Sequence, residues 1–593
     1  MTQVQTRGMN INSKPIYILG ISGFYHDAAA CLLKDGEIIA AAAEERFTRK
    51  KHDGSFPENA ANFCLRFGGI TSEELSAVVF YDKPLLKFER LLTTYLQVWP
   101  RAWRSFTQVI PLWLLEKIHI PYIVKKKLQY KGPVYFVPHH VSHAASSFFA
   151  SPFEEAAILT VDGIGEWAST TWGVGKGTEI TVTKEIHFPD SLGLLYSAFT
   201  YYLGFKVNSA EYKVMGAAPY GKPVYVEKIK KHLIDIKGDG SFRLNMKYVN
   251  YEHSLVMVEK EFEKLFGMPV RNSEKEPMTE FHWDIAASIQ AITEEVMIKL
   301  VNHIHQQTGL TTLCMAGGVA LNCVANGRIL RETKITELFI QPAAGDDGGA
   351  LGAALYYWHT ILKNPRQKNF THPYWGSAWR DEDIEKILVE KNIPFEKVSD
   401  EVLFDQVSEY LGQQAVVGWF QGRSEFGPRS LGNRSILADA RNYENWQRVN
   451  LKIKFRESFR PFAPSVLKEK ANEYFDLVGE SPYMLLVAPV RSTTIPAVTH
   501  VDKSARIQTV DKETNPRYYQ LIENFEKKTG CAVLINTSFN VRGEPIVDSP
   551  RDAINCFLRT DMDYLVMHNY IIAKKDTRKV AHDSSWMNEF TLD

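Results

Sequence analysis

The chain has 593 residues, of which 45% are hydrophobic and 23% charged, proportions typical of soluble globular proteins. Lys and Arg total 69 and Asp and Glu also total 69, which excludes a general electrostatic attraction to nucleic acid or to anionic membranes. The six cysteines form no Cys-x2-Cys pair, which argues against a zinc ribbon or a disulfide scaffold and predicts a cytoplasmic protein.

Residues 1–15 are polar and predict a flexible tail. A strand is expected over 16–22, a hairpin around Asp35 and Gly36, a helix from Pro57, and strands over 77–81 and 134–137. Residues 91–123 are rich in Trp, Leu and Ile with interspersed Arg and Lys. They could contact a membrane or an apolar substrate, but a pair of amphipathic helices packed on the core is favoured, and no membrane partner is expected.

The unit strand, polar turn, strand occurs twice, over 16–42 and 156–187. This order predicts the duplicated βαβ halves of an actin/hexokinase-like ATPase fold. A helix over 283–307 and strands over 311–316 and 338–340 would complete the second half.

Residues 363–376 lack apolar periodicity and predict a boundary between domains over 16–365 and 376–593. The second domain has an α/β pattern. Its expected helices lie over 381–391, 402–412, 514–528 and 550–559, and its strands over 415–420, 485–490, 532–536 and 564–567.

Two histidines predict a metal site. His139 and His143 are four residues apart, so they share one face of a helix, and Pro138 suits the start of that helix. Asp162 ends a second apolar run and could add a carboxylate ligand. Ordinary helix-start histidines are the competing interpretation.

Glycine turns after apolar runs suit phosphate binding, because they bring backbone N–H groups close to a ligand. Such turns occur over 162–165 with Gly163, over 317–322 with Gly318 and Asn322, and over 346–349. Tight turns that need glycine for steric reasons are the alternative.

Cations and small polar residues dominate several C-terminal runs, over 422–435, 454–464, 504–509 and 536–540. Arginine provides paired donors to phosphate or carboxylate, and lysine a mobile charge. These runs suit an anionic substrate together with a nucleoside triphosphate, and surface salt bridges are the alternative.

Together, residues 23–29, 44–52, 138–146, 211–216, 422–435 and 536–540 resemble the O-carbamoyltransferases of nodulation-factor, cephamycin and tobramycin biosynthesis, over nearly the whole chain. The resemblance implies an N-terminal domain similar to the tRNA threonylcarbamoyl transferases and a C-terminal YrdC-like α/β domain. It implies that carbamoyl phosphate and ATP, with Mg²⁺, give carbamoyl-adenylate in the C-terminal domain. The carbamoyl group then passes internally to an acceptor hydroxyl in the N-terminal domain.

The resemblance also implies roles for individual residues. Those of the C-terminal domain that would bind carbamoyl phosphate and ATP and act in adenylation are Lys454, Arg460, Arg506, Ser538 and Asn540. The metal ligands would be His139, His143, Asp162 and an acid at 346 or 347, of which Asp346 is favoured by its spacing to residues 351 and 352. They would hold Fe²⁺ or another divalent metal as a Lewis acid. His26 would be the general base, oriented by Asp27, and weaker ligand-binding candidates are Lys51, Gly163, Glu211, Gly318, Asn322 and Arg423.

The expected partners are carbamoyl phosphate, ATP and a small hydroxylated natural product, with a homodimer left open. Three alternatives compete with this function. A tRNA-modifying enzyme is disfavoured by the neutral net charge, and hydrogenase-maturation carbamoyl transfer by the lack of Cys-x2-Cys. A non-catalytic nucleotide-binding scaffold is disfavoured by the presence of His26, His139, His143, Lys454 and Ser538.

Overall fold

The computed structural model describes residues 14–577, except for residues 116, 255, 367–369, 455 and 458. The tail predicted over 1–15 therefore lies almost wholly outside the described residues. We refer to residues 16–365 as the N-terminal domain and to the described residues from 376 onward as the C-terminal domain.

The N-terminal domain contains two five-stranded sheets and a small hairpin within the described residues. Its strands in chain order are β1 Tyr17–Ser22, β2 Ala29–Lys34, β3 Glu37–Ala43, β4 Leu75–Phe80, β5 Val134–Phe136, β6 Glu155–Val161, β7 Ala168–Lys176, β8 Glu179–His187, β9 Ile234–Ile236, β10 Phe242–Leu244, β11 Thr312–Ala316 and β12 Glu337–Ile340.

The two large sheets have the same topology. The first has the order β3-β2-β1-β4-β5 and the second β12-β11-β6-β7-β8, which is the same order read from the other edge. In each, three consecutive strands pair antiparallel and two later strands join in parallel. This repetition confirms the predicted duplicated halves, and each half has its own buried core.

The predicted hairpin in the first sheet is confirmed, and its turn shows why the sequence requires it. Asp35 and Gly36 both have positive φ, at 50° and 88°, as an Asp-Gly turn between strands requires. A Cβ added to Gly36 would lie 2.2 Å from Nε1 of Trp358, so the close approach of that indole also demands glycine.

Thirteen α-helices of the described residues cover these sheets: α1 Glu45–Thr48, α2 Glu58–Gly68, α3 Pro84–Gln97, α4 Trp103–Leu115, α5 Ile120–Leu128, α6 His139–Phe148, α7 Leu192–Tyr202, α8 Glu211–Ala217, α9 Val226–His232, α10 Lys260–Phe266, α11 Glu280–Thr308, α12 Cys323–Glu332 and α13 Asp346–Tyr356. Helices α6 and α13 pack closely together. A Cβ added to Gly352 would lie 1.8 Å from the carbonyl oxygen of Ser142, so glycine permits this contact. The contact brings the starts of both helices to one place.

The C-terminal domain is built on one mixed sheet of nine described strands, in the order β13-β21-β20-β14-β15-β19-β16-β18-β17. Its strands are β13 Glu396–Lys397, β14 Val417–Phe420, β15 Arg434–Asp439, β16 Ala463–Leu467, β17 Leu486–Pro489, β18 Ser504–Val510, β19 Val533–Ser538, β20 Tyr564–Met567 and β21 Tyr570–Ala573. Its helices are α14 Asp381–Glu390, α15 Asp400–Gly412, α16 Tyr443–Arg448, α17 Ala471–Tyr474, α18 Pro516–Thr529, α19 Pro550–Arg559 and α20 Lys574–Thr577. The predicted α/β class and the eight predicted elements are confirmed. The elements that were not predicted are the strands β13, β15, β16, β18 and β21 and the short helices α16, α17 and α20.

Hydrogen bonds join the two domains at several places. Arg49 donates to the carbonyl oxygens of Pro545 and Ile546, at 2.8 Å each. Asn326 of α12 donates to the carbonyl oxygen of Leu485 at 3.1 Å. The predicted boundary over 363–376 lies between α13 and α14.

The segment over 91–123 forms the end of α3, helix α4 and the start of α5, which have a small buried cluster of their own. Trp113 is buried, whereas Trp99 and Trp103 are more than half exposed. Among the described residues, every helix is too short or too polar to cross a membrane.

Candidate active sites in the two domains

Four predicted metal ligands meet between the two halves of the N-terminal domain. His139 and His143 lie on the first turns of α6, directly after β5. Asp162 follows the last residue of β6, and Asp346 is the first residue of α13. Since β6 ends and α6 and α13 begin on the same side of the two sheets, one ligand atom from each side chain lies within 4.8 Å of the others.

The distances within this group are short. Nε2 of His139 lies 3.0 Å from Oδ2 of Asp162 and 3.6 Å from Oδ1 of Asp346. Nε2 of His143 lies 3.8 Å and 3.5 Å from the same two oxygens and 3.1 Å from Nε2 of His139. All four side chains are largely or fully buried. We call these four residues the His-Asp centre.

Other groups hold both carboxylates in place. The backbone N–H of Gly318 donates to Oδ1 of Asp162 at 2.8 Å, and the hydroxyl of Tyr81 donates to Oδ2 of Asp346 at 3.2 Å. Burial alone would raise the pKa of Asp346, but the charges of His26 and His139 hold it below its ordinary value. Burial likewise opposes ionisation of Asp162, yet its hydrogen bond with His139 and the neighbouring imidazoles keep its pKa well below the ordinary value. Both carboxylates are therefore anionic.

The residues present fit a divalent metal ion. Oδ1 of Asp346 is buried and has no hydrogen-bond partner among the described residues, although it faces both imidazoles. A cation between these atoms would bind Oδ1 of Asp346. It would also lie between the Nε2 atoms of His139 and His143, which cannot both donate a hydrogen bond to each other. Two imidazoles and two carboxylates are a ligand set typical of first-row transition metals.

The predicted general base lies beside this centre. Nε2 of His26 is 4.0 Å from Oδ2 of Asp346, and its Nδ1 is 2.9 Å from Oδ2 of Asp27. The other oxygen of Asp27 lies 2.7 Å from Nδ1 of His52. Asp27 thus fixes the ring of His26, and Nε2 is the nitrogen that remains for a substrate. The exposed ring of Tyr25 lies 4.5 Å from that of His26.

The C-terminal domain brings three predicted residues into direct contact. Nζ of Lys454 donates to the carbonyl oxygens of Ser538 and Asn540, at 2.7 and 2.8 Å, and to Oγ of Ser538 at 3.2 Å. It also donates to the side-chain oxygen of Asn540, which accepts a 2.7 Å hydrogen bond from Ser538. Ser538 ends β19 and Asn540 lies in the turn that follows it, whereas Lys454 follows the helical turn Val449–Ile453.

Arg456 and Arg460 lie near this lysine, and Arg429 and Arg506 lie near Arg460. Burial and the charges of Arg456 and Arg460 lower the pKa of Lys454 well below its ordinary value. Burial and the charge of Arg506 lower the pKa of Arg429 to about 9. Burial also lowers the pKa of Arg456, with Arg460 adding to the effect. We call Arg429, Lys454, Arg456, Arg460 and Arg506 the cation cluster. Like charges that are buried together are stabilised by a bound anion.

The N-terminal domain reaches the cation cluster through α8. Nζ of Lys213 is fully buried and lies 3.0 Å from Oε1 of Glu457, which also pairs with Arg542 at 2.9 Å. The guanidinium carbon of Arg460 lies 4.6 Å from the ring centre of Tyr212. The cation cluster therefore lies at the boundary between the domains.

Several weaker candidates have contacts of another kind. The amide of Asn322 caps α12 and pairs with Gln290, and a carboxylate oxygen of Glu211 accepts from Ser197 at 2.8 Å. Gly163 accepts a 2.6 Å hydrogen bond from Ser191 through its carbonyl oxygen. The backbone N–H of Gly318 donates a hydrogen bond to Asp162, as described above. For these four residues a ligand-binding role stays a prediction.

Arg423 and Lys51 differ in their positions. The guanidinium of Arg423 donates to the carbonyl oxygens of Ile39, Trp375 and Gly376 and covers the ring of Phe67 at 4.0 Å. These contacts give Arg423 a structural use at the domain boundary. Nζ of Lys51, by contrast, lies 5.7 Å from the ring centre of Tyr212, next to the cation cluster.

Residues that sequence reasoning missed come from runs it had already noted. Arg429 and Arg456 lie in the C-terminal arginine runs, and Tyr212 lies in the run over 211–216. Tyr81 is the last residue of a predicted strand, and only its contact with residue 346 shows its use. His52 lies in the basic run around Lys51, and only its contact with Asp27 shows its use.

Comparisons with known proteins define the class of this protein. Residues 17–355 match the family described as carbamoyltransferase N-terminus, and residues 408–574 match carbamoyltransferase C-terminus. The chain belongs to the carbamoyltransferase family, and it is a transferase.

Relatives of this chain include proteins with and without an assigned activity. An uncharacterized protein of Synechocystis sp. is 54% identical over 97% of this chain and 100% of its own length. Nodulation protein NolNO of Sinorhizobium fredii is 38% identical over 93% of this chain and 79% of its own length. The 3′-hydroxymethylcephem-O-carbamoyltransferase of Amycolatopsis lactamdurans is 36% identical over 41% of this chain and 45% of its own length.

Solved structures are less similar. Full-length HypF in its phosphate- and nucleotide-bound form has a TM-score of 0.33 and 14% identity, over 59% of this chain and 56% of its own. The ROK hexokinase of Thermus thermophilus has a TM-score of 0.29 and 16% identity, over 57% of this chain and 98% of its own. The family assignment rests on the sequence matches.

Proposed function

We propose that this protein is an O-carbamoyltransferase that activates a carbamoyl group on AMP in its C-terminal domain and transfers it to a hydroxyl of a small natural product in its N-terminal domain. The observation that carries this proposal is the cation cluster at the domain boundary. Lys454 is buried against Ser538 and Asn540, and four partly buried arginines extend the positive charge from it, a set that suits polyphosphate and carbamoyl phosphate. The name of the cephem relative, an O-carbamoyltransferase, supports the choice of a hydroxyl acceptor.

Adenylation would proceed as follows. Carbamoyl phosphate loses its phosphoryl group to water, which leaves carbamate and phosphate. A carbamate oxygen attacks the α-phosphorus of ATP, supplied as its Mg²⁺ complex, and the bond to the β-phosphate breaks to release pyrophosphate. Arg429, Arg460 and Arg506 offset the negative charge that develops on the phosphates. Lys454 orients Ser538 and Asn540 toward the same ligands.

Transfer would occur at the His-Asp centre. The acceptor hydroxyl attacks the carbonyl carbon of carbamoyl-adenylate, its proton passes to Nε2 of His26 in the neutral form of that ring, and the bond to AMP breaks. Burial lowers the pKa of His26, but the charge of Asp346 raises it well above its ordinary value, so a cation that offsets Asp346 would favour the neutral ring. Asp27 holds His26 through Nδ1, at 2.9 Å. His139, His143, Asp162 and Asp346 would hold Fe²⁺ or a similar divalent ion, which supplies Lewis-acid charge for phosphate oxygens.

Two further expectations follow from this proposal. The six cysteines are free and buried, which supports a reducing, cytoplasmic environment. The exposed Tyr25 ring beside His26 is a surface on which an acceptor could pack. Acceptor specificity would then depend on the side chains around these two rings.

The test separates the two steps. Pyrophosphate release from ATP and carbamoyl phosphate measures adenylation, and a mass gain of one carbamoyl group on candidate alcohols measures transfer. Ser538→Ala is expected to abolish both signals, whereas His139→Ala should retain pyrophosphate release and lose transfer. Ser435→Ala is the matched control, since Ser435 pairs with Ser538 across the sheet.

Other functions give other results. If His139→Ala stopped both steps equally, the assignment of one step to each domain would be wrong. A tRNA-modifying enzyme would require threonine, bicarbonate and tRNA for product formation. A non-catalytic scaffold would release no pyrophosphate under any of these conditions.

A further inference from the structure

One tyrosine ring contacts cations from both sites. Nζ of Lys51 lies 5.7 Å from the ring centre of Tyr212, and the guanidinium carbon of Arg460 lies 4.6 Å from it. Lys51 directly precedes His52, which shares Asp27 with His26. Arg460 belongs to the cation cluster. Tyr212 therefore links the surroundings of His26 to the adenylation site.

The backbone that carries this ring is held from the other domain. Tyr212 lies on the first turn of α8, and the next residue, Lys213, pairs with Glu457 at 3.0 Å. At the end of the same helix, the carbonyl oxygen of Gly216 lies 3.1 Å from Nε2 of His500. These contacts hold α8 at both ends against the C-terminal domain. The ring of Tyr212 itself is only partly buried, so it borders accessible space.

The chemistry of the intermediate gives this arrangement a use. Carbamoyl-adenylate carries a negative phosphate and a carbonyl group that water attacks. Positive charge along its path attracts it, and a ring that fixes two long cationic side chains keeps that charge in place. Lys51 provides a cation on the side of His26, and Arg460 provides one on the side of the adenylation site.

We propose that Tyr212 is a positioning residue for transfer between the two sites: its ring holds Lys51 and Arg460 so that carbamoyl-adenylate passes inward and is not released to water. This inference rests on the proposed function. It assigns Tyr212 no contact with the reacting atoms. It predicts that loss of the ring uncouples adenylation from retention of the intermediate.

The experiment uses the full chain with carbamoyl phosphate and Mg-ATP and without any acceptor. The wild type is expected to release a burst of about one pyrophosphate per chain and then to slow, because the intermediate stays bound. In Tyr212→Leu, the ratio of the later pyrophosphate and AMP release rate to the burst amplitude should rise about fivefold or more, the size expected when two cation–π contacts are lost. Escaped carbamoyl-adenylate is hydrolysed to AMP and carbamate, and the emptied site turns over again.

Two further variants control for the ring and for the substitution. Tyr212→Phe keeps an aromatic face and should restore the ratio to within about twofold of the wild type. Tyr122→Leu removes an exposed ring on α5 that also contacts a lysine, Lys126 at 5.8 Å, and should not change the ratio. Tyr212→Met replaces the leucine variant if that protein fails to fold.

Each result decides between the hypotheses. A wild type that releases no pyrophosphate overturns the proposed function, and this inference with it. A wild-type burst with an unchanged ratio in Tyr212→Leu overturns this inference alone. Equal leakage in Tyr212→Phe and Tyr212→Leu also overturns it, because the aromatic face would then have no role. A Tyr212→Leu variant in which the burst amplitude and the later rate of pyrophosphate release fall together overturns it as well.

Discussion

Removal of the Tyr81 hydroxyl tests whether the His-Asp centre binds a metal as its geometry indicates. Tyr81 and Asp346 are both almost completely buried, and the hydroxyl lies 3.2 Å from Oδ2 of the carboxylate. Burial and the neighbouring Asp346 raise the pKa of Tyr81 well above its ordinary value, so the hydroxyl remains a donor. Tyr81→Phe therefore removes one hydrogen bond that orients a ligand and leaves the ligand itself in place.

The size of the effect can be worked out from this contact. A hydrogen bond to a charged acceptor contributes about 1.5–3 kcal/mol to stability. A separation of 3.2 Å is long for a hydroxyl donor, so we expect the lower part of that range, about 1.5–2 kcal/mol. This corresponds to a metal Kd that is roughly 10- to 30-fold higher in Tyr81→Phe than in the wild type.

Calorimetric titration of the chelator-treated protein with Mn²⁺ or Co²⁺ measures that Kd directly and does not depend on catalysis. Tyr202→Phe is the matched control, because its buried hydroxyl donates to the carbonyl oxygen of Met268 at 2.8 Å, outside the His-Asp centre. An unchanged Kd in Tyr81→Phe would refute the reasoning. An equal rise in Tyr202→Phe would show that a general loss of stability, and not the orientation of Asp346, explains the result.

Three other predictions concern single residues. Arg429→Met should raise the KM for ATP or carbamoyl phosphate about 10- to 100-fold in a pyrophosphate assay, because it removes a charged hydrogen-bond donor that contributes about 1.5–3 kcal/mol. Arg423→Met, by contrast, should chiefly lower the melting temperature. Burial lowers the pKa of His359 to about 4. The stability that its neutral form contributes is therefore present above pH 6.5 and is lost as the pH falls toward 4. In urea unfolding, His359→Gln should lose about 2 kcal/mol less stability than the wild type between pH 7 and pH 5. Trp103→Ala should change the range of accepted alcohols without changing pyrophosphate release. An unchanged range would exclude a role of Trp103 in the acceptor pocket. Trp113→Ala should instead lower the melting temperature, because Trp113 is buried.

Local patterns predicted much of the His-Asp centre. His139 and His143 share a helix face, and a helix with a proline before it was expected there. Asp162 could be anticipated as a ligand because it ends the second apolar run, but its approach to α6 could not, since β5 and β6 lie in different sheets and the approach depends on how the two sheets pack. The choice between residues 346 and 347 needed the family resemblance, since both are acidic and adjacent in sequence.

Side chains that act through distant contacts could not be predicted in this way. Tyr81 meets a residue 265 positions later, and Lys213 meets one 244 positions later. No periodicity or spacing encodes such pairs, because they depend on how whole elements pack. The same limit explains Arg423 and Arg429, which lie in one run of similar composition. Only the fold shows that the first binds backbone carbonyls and the second joins the cation cluster.

The two sites differ in the sign of the charge that the fold buries, and this difference favours one direction of transfer. Under the proposed function, the cation cluster would hold the anionic nucleotide while ATP is present, since like charges that lie close together are stabilised by a bound anion. The His-Asp centre contains two anionic carboxylates, so an adenylate can approach it only when a metal cation offsets their charge. Metal occupancy in one domain would therefore control whether an intermediate made in the other is used. Under the proposed function, the step that needs the metal would follow pyrophosphate release, so substitution of His139 is expected to separate the two reactions and substitution of Ser538 to stop both.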